Sequence, residues 1–366
     1  MTSRPKVIAM VQLPPPMHGA AKMNRIAINS LAKDFDLHVI EMCFARTLSE
    51  VNRFSLRKMW VAVWLWLRLI WALPRAKALY ICFAPNGFAY YRDCIYVLLA
   101  KLLCVPAILH LHGRGLPEIR RSKWSELLQK TVFKGQAVIL LGESLRAEIE
   151  GLDCKSAIIA NCLNDDAFVV PATKQWVPHN PIRLLWLSNL FRAKGIETLL
   201  AACEILHAQD VACHLTIAGA KGDISKAELA TLLEKYQMHT AASYLGPVSD
   251  PERQGAFENS DLFIFPSHYP NEAQPLVVLE AMVANVPVIT SNIATLPEFV
   301  RDGETGRLCP PQDPEELANA ISAAIGSPEK TTVMRDAAYQ MCRQEFRQDR
   351  FAEKLRQRVH SIIENH

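Results

Sequence analysis

The feature that most constrains the fold is an alternation of short apolar runs with longer helical segments. It runs along the first half of the chain, stops at a proline-rich stretch, and starts again. Residues 7–11, 37–41, 79–83, 107–111 and 138–141 are apolar runs of strand length, and residues 20–33, 90–103, 123–133 and 144–151 between them have helical patterning. Continuously apolar strands alternating with helices imply a parallel sheet covered on both faces. Residues 171–181 then hold three prolines, the signature of a linker. Beyond it the pattern returns, with strands at 182–187, 214–218, 262–265 and 288–290 and helices at 195–209, 275–284 and 314–325. The expected fold is α/β, with two Rossmann-like doubly wound parallel-sheet domains facing across a cleft. Ligands in such sheets sit beyond the carboxyl ends of the strands.

Charge separates the two halves. Residues 1–150 carry 21 Lys+Arg against 10 Asp+Glu, whereas residues 151–366 carry 19 against 27. A basic first half suits an anionic partner such as phosphate or a lipid headgroup. Nucleic acid is disfavoured, because no interleaved basic–aromatic sheet pattern is present. The ten cysteines include no Cys-x-x-Cys pair, and most lie in apolar runs such as Ile81-Cys82-Phe83, so they read as buried thiols in a reducing compartment. Residues 1–6 lead directly into a strand-length apolar run, with no secretion signal, and a cytoplasmic location is expected.

Residues 57–73 stand apart. They hold four of the seven tryptophans, Trp60, Trp64, Trp66 and Trp71, and only three charges. On a helical wheel Arg57, Arg68 and Arg75 fall within ~20° of one another, with Trp64 and Trp71 beside them. The segment is short for a membrane span and carries Arg68 inside it. Two readings follow: a helix packed on the sheet with its arginine stripe in water, or a helix lying on an anionic membrane surface.

Two loops carry chemistry. In Ser267-His268-Tyr269-Pro270-Asn271-Glu272-Ala273-Gln274-Pro275-Leu276, a buried strand runs into a polar loop and Pro275 sits where it would start a helix. Free N–H groups at residues 276–278, with the helix dipole behind them, would make an anion site suited to a diphosphate. Glu272 and Glu280 flank that site and could accept hydrogen bonds from a hydroxyl-rich ligand. In Ser188-Asn189-Leu190-Phe191-Arg192-Ala193-Lys194-Gly195, a strand ends in a loop offering two cations to the same diphosphate. His110 and His112, spaced i, i+2, lack a neighbouring carboxylate or thiol to complete a metal site.

The Glu272-x7-Glu280 spacing is followed by Ala281-Met282, Val286-Pro287-Val288-Ile289, Leu296-Pro297-Glu298-Phe299-Val300 and Asp302-Gly303-Glu304-Thr305-Gly306. Together with the Ser188–Gly195 loop, this resembles the family-4 retaining glycosyltransferases of GT-B fold, the group 1 glycosyl transferases. The resemblance is specific over residues 182–317 and looser before them. It implies transfer of a sugar from a nucleotide-diphosphate donor with no metal or other cofactor. Glu272 would bond the sugar hydroxyls, and Ala273, Gln274, Pro275 and Leu276 would line the sugar and phosphate turn. Glu280 would bond the ribose, and Lys194 would hold the diphosphate. The family's usual arginine falls at Asn189, so Arg192 would have to replace it or the leaving group is less strongly neutralised. Gly246-Pro247-Val248 resembles the loop that packs on the base. His18 and Gly19 belong to a first loop that resembles the family's glycine-rich approach to phosphates and acceptor. His112 matches the family histidine that stabilises positive charge at the anomeric carbon, and Asn161 a structural turn.

The expected organisation is an acceptor-binding domain over residues 1–175, a donor-binding domain over 176–345, and a terminal segment, 346–366, whose helix packs back on the first domain. The expected activity is retaining transfer to a glycan or lipid-linked acceptor in cell-surface polysaccharide or glycolipid synthesis. Arg57, Trp60, Trp64, Arg68 and Trp71 would contact acceptor or membrane, giving a peripheral position on the inner face of the cytoplasmic membrane. The rivals are a non-catalytic nucleotide-sugar-binding protein on the same scaffold and a sugar-nucleotide epimerase.

Overall fold

A computed structural model describes residues 4–15, 19–44, 56–168 and 175–365. The chain forms two compact units, one of residues 1–162 with 348–366 and one of residues 163–347. In chain order the first unit has β1 (Lys6–Val11), α1 (Gly19–Leu31), β2 (Asp36–Glu41), α2 (Leu56–Ala72), β3 (Ala78–Phe83) and α3 (Gly87–Leu102). It continues with β4 (Ala107–Leu111), α4 (Leu116–Ile119), α5 (Lys123–Phe133), β5 (Gln136–Leu140) and β6 (Cys154–Ile158). The second unit has β7 (Ile182–Leu187), α6 (Ile196–Ala208), β8 (Cys213–Ala218), α7 (Lys226–Lys235), β9 (Ala242–Gly246) and α8 (Asp250–Glu258). Then come β10 (Leu262–Phe265), α9 (Leu276–Val283), β11 (Val288–Ser291), α10 (Leu296–Phe299), β12 (Arg307–Cys309), α11 (Pro314–Ile325) and α12 (Pro328–Glu345). The last helix, α13 (Gln348–Glu364), belongs to the first unit.

Each unit is built on a six-stranded parallel sheet, ordered β2-β1-β3-β4-β5-β6 and β12-β11-β10-β7-β8-β9. The expected pair of doubly wound parallel sheets is therefore present. Central strands such as β1, β4, β5 and β10 are buried on both faces, which explains their unbroken apolar runs. In the first sheet the chain moves one way from β1 to β2 and the other way from β2 through β3, β4 and β5. Right-handed crossovers therefore put α1 on one face and α2, α3 and α5 together on the other. α13 packs beside α1.

The segment expected as a helix at 144–151 is a 3₁₀ stretch, Glu143–Ile149. Gly151, with φ +74°, ends it before a longer helix develops. The described part of the proline-rich stretch is docked on the second unit. Trp176 is buried and its indole N–H donates to the Asp261 carbonyl (3.0 Å), while the Trp176 N–H donates to Thr332 Oγ1 (2.9 Å). The rest of that stretch, like His18, lies outside the described residues.

Candidate active site

In the second sheet the strand order reverses between β7 and β10, and the carboxyl edge at such a switch point is where doubly wound sheets open a ligand site. The loops leaving these two strands meet backbone to backbone. Gly195 has φ +85°, and a Cβ there would lie 1.9 Å from the Pro266 carbonyl oxygen, so only glycine fits. The His268 N–H donates to the Ala193 carbonyl across the same junction (2.8 Å).

This contact brings together Lys194 and Glu272, 78 residues apart in sequence. Lys194 Nζ donates to Glu272 Oε2 at 2.6 Å, and Ser267 Oγ donates to the same oxygen at 2.9 Å. The ammonium also lies 4.7 Å from the centre of the Tyr269 ring and 5.5 Å from that of Phe265. Glu272 is only 6% exposed. An ion pair this enclosed is weak evidence for stability, since desolvation offsets its attraction. What it supplies is a lysine held in one place with donor capacity beyond the single bond to Glu272.

The same loop runs into α9. Pro275 takes an extended conformation as the N-cap residue. Thr295 Oγ1 donates to the Ala273 carbonyl (2.6 Å) and pins the turn, in which Ala273, Gln274 and Leu276 are buried. The expectation of three free amides needs correction: the Val278 N–H donates to the Pro275 carbonyl at 3.3 Å. Leu276 and Val277 remain as N–H groups with no carbonyl four residues back in their own helix. Glu280 lies further along α9, with its Oε2 3.3 Å from Arg253 Nε on α8. Arg253 is a candidate site residue that sequence reasoning missed. Its signal was Ser249-Asp250-Pro251-Glu252, a capping box with Pro at the second helical position, which marks a helix start just before it.

Arg192 is not brought to Lys194 and Glu272. Its guanidinium pairs with Glu197 and lies 3.6 Å from Glu228. Asn189 ties the β7 loop to the β8 loop, its Oδ1 accepting from the Ala220 N–H at 3.3 Å. Val248 is half-buried just beyond β9.

In the first unit, His112 follows β4 and its ring lies 4.1 Å, centre to centre, from that of His110. His110 is fully buried, as its inward alternation implied, with Nδ1 2.6 Å from the Tyr80 hydroxyl. Burial, reinforced by neighbouring His112, pushes its pKa well below the usual histidine range and keeps the ring neutral. Among the described residues, no three His, Cys, Asp or Glu side chains cluster in a way that could hold a metal ion. Gly19, exposed, is the first residue of α1. Arg57, Trp60, Trp64, Arg68 and Trp71 all lie on α2. Only Leu65, Leu69 and Ala72 of that helix are buried, so the tryptophans at 60, 64 and 71 point to solvent instead of the sheet.

Residues 172–341 match the family described as Glycosyl transferases group 1. Glycogen synthase of Mycobacterium tuberculosis is 32% identical over 166 residues, 45% of this chain and 39% of that protein. The putative colanic acid biosynthesis glycosyltransferase WcaL of Salmonella typhimurium is 26% identical over 208 residues, 55% of this chain and 50% of that one. The chain thus spans about two fifths to one half of these curated relatives. Among solved structures, Anabaena Alr3699/HepE in complex with UDP superposes with a TM-score of 0.75 at 18% identity, covering 97% of this chain and all of that one. Sucrose-phosphate synthase from Thermosynechococcus elongatus gives 0.73 at 17% identity, covering 99% and 100%. The fold is that of the GT-B glycosyltransferases, and the similarity to the glycosyl transferases group 1 family extends over residues 172–341.

Proposed function

We propose that this protein is a retaining, metal-independent glycosyltransferase of family-4 type. It moves a sugar from a nucleoside-diphosphate sugar to a glycan or lipid-linked acceptor in cell-surface polysaccharide or glycolipid synthesis. The observation that carries the reading is the Lys194–Glu272 pair, set at the switch point of the second sheet beside the opening amides of α9. Lys194 and the Leu276 and Val277 amides would take the diphosphate, supplying positive potential where the leaving group gains charge. The bond from anomeric carbon to diphosphate oxygen breaks with its electron pair going to the diphosphate. The acceptor hydroxyl oxygen forms the new bond and gives up its proton to an oxygen of the departing diphosphate. Glu272 would bond the sugar hydroxyls and Glu280 the ribose, with Arg253 orienting Glu280. Ala273, Gln274 and Pro275 would shape the turn and Val248 would pack on the base. In the first unit, His112 and the loop containing His18 and Gly19 would serve the reacting sugar and the acceptor. The named activities of the glycogen synthase and WcaL relatives, and the UDP bound by Anabaena Alr3699/HepE, support this reading.

A cytoplasmic enzyme on the inner face of the membrane suits the ten free cysteines and the surface of α2. No helix among the described residues is long and apolar enough to cross a membrane.

One observation favours a second reading. Asn189 and Arg192 are both engaged away from Lys194, which leaves a single cation there among the described residues and would suit a protein that binds nucleotide sugar without turnover. A panel of nucleotide sugars tests both readings by thermal shift. At least one should raise the melting temperature, and Glu280→Ala should remove most of that rise while preserving the ligand-free melting temperature. Product formation with the stabilising donor and a lipid-linked acceptor separates enzyme from binder. No stabilisation by any member of the panel would contradict both.

A further inference from the structure

The face of the first unit's sheet that carries α2, α3 and α5 has an outer surface unlike any other among the described residues. Every exposed large apolar side chain described in this unit lies on one of these three helices or at Leu103, directly after α3. On α2, Trp60 is 75% and Trp71 86% exposed; on α3, Phe88 and Leu102 are each 78% exposed; on α5, Trp124 is 81% exposed. The helices are neighbours in one layer. The Tyr96 hydroxyl of α3 donates to the Ala62 carbonyl of α2 (3.2 Å), and Lys101 Nζ donates to the Thr131 and Lys134 carbonyls at the end of α5. Side chains from three separate segments therefore form one apolar face, far larger than the scattered exposed leucines of an ordinary surface.

The charges of α2 and the exposed charges of α3 are of one sign, and on α5 the acidic Glu126 is paired with Lys130 at 2.6 Å. Between Val51 and Pro117 the chain has a single acidic residue, Asp93, and it is buried against Arg92. Arg57, Lys58, Arg68, Arg75 and Lys77 are spread through the same stretch. Arg68 lies over the Trp64 ring, its guanidinium carbon 4.7 Å from the centroid, which holds cation and indole side by side. Tryptophan and leucine facing outward among arginines and lysines, with no spanning helix among the described residues, is the chemistry of a surface seated at the headgroup level of an anionic bilayer. A second copy of the chain would instead have to bring like charges together.

We infer that the outer face of α2, α3 and α5 as a whole, and not α2 alone, docks the protein on an anionic lipid bilayer, inserting Trp60, Trp71, Phe88, Leu102 and Trp124 and setting the basic residues against lipid phosphates. This deepens the lipid-linked-acceptor reading but stands on the first unit alone. Vesicle binding can fail while nucleotide sugars still stabilise the protein, and the reverse.

The test is co-sedimentation of the full chain with vesicles of phosphatidylcholine alone or with about one third phosphatidylglycerol, with tryptophan emission read alongside. The wild type should bind the phosphatidylglycerol vesicles with a blue shift, and lose affinity as salt rises. The α2 variant Trp60→Ser/Trp71→Ser, the α3 variant Phe88→Ser/Leu102→Ser and the α5 variant Trp124→Ser should each weaken binding, the first two by about tenfold or more. Leu245→Ser/Val333→Ser on the second unit should bind as wild type does. Melting temperatures confirm that these surface variants are folded. No binding to either vesicle would overturn the proposal. So would α3 and α5 variants that bind like wild type, or a wild-type dimer in light scattering that the tryptophan variants dissociate.

Discussion

Lys194→Ala is expected to lower kcat for sugar transfer by about 10²–10³-fold, the usual cost of removing one preorganised group that stabilises developing negative charge. The size follows from what surrounds the lysine. Its ammonium is fixed by Glu272 at 2.6 Å and by the faces of Tyr269 and Phe265, so it need not reorganise when a diphosphate arrives. Arg192 is committed to Glu197 and Glu228 and cannot take its place without breaking those pairs. The same substitution leaves a buried carboxylate with, among the described residues, only the Ser267 hydroxyl as its side-chain partner. Stability should then fall by about 3–5 kcal/mol, the range for removing one partner of a buried pair. A second change separates the two effects. Lys194→Ala/Glu272→Gln removes the stranded charge and should recover most of the lost stability and none of the activity. Steady-state kinetics and denaturant unfolding on the two variants measure both quantities. A Lys194→Ala enzyme within a few-fold of wild type would remove the lysine from the mechanism.

Gly195→Ala should destabilise the second unit by about 2–4 kcal/mol, combining a positive φ with an overlap that no rotamer change relieves. The obstacle is backbone, the Pro266 carbonyl at 1.9 Å, so the two loops must separate. Separation breaks the His268–Ala193 hydrogen bond and moves Lys194 away from Glu272, so activity should fall with stability. Gly246 is the internal control. Its φ is +79°, but a Cβ there meets nothing within 4 Å, so Gly246→Ala should cost only the backbone part, about 1 kcal/mol. Equal losses at the two positions, read from denaturant midpoints, would mean that the close approach of the loops matters little.

The parts of the fold legible in the sequence were those buried on both sides or amphipathic over several turns. β7, β10, α5 and α11 occupy the residues that periodicity indicates, because their apolar patterns have one interpretation. The strands with no counterpart among the apolar runs, β6, β9 and β12, all lie at sheet edges. β6 and β9 have no fully buried residue and β12 has only three residues, so none carries a continuous apolar run. Helices α7, α8 and α12 are too polar to announce themselves by apolar periodicity. At the candidate site, the loop residues and the helix start at Pro275 were readable, because turn and cap chemistry is local. The pairing of Lys194 with Glu272 was not, since it depends on β10 lying next to β7. The turn of Arg192 toward α6 and α7 was equally hidden.

The proposed transfer depends on a diphosphate resting on main-chain amides at the start of α9, and a crystal structure with a bound nucleotide sugar measures this directly. The predicted result places diphosphate oxygens about 3 Å from the Leu276 and Val277 nitrogens and from Lys194 Nζ, with Glu280 on the ribose. A nucleotide sugar bound elsewhere on the chain, with those amides turned away from it, would contradict the account.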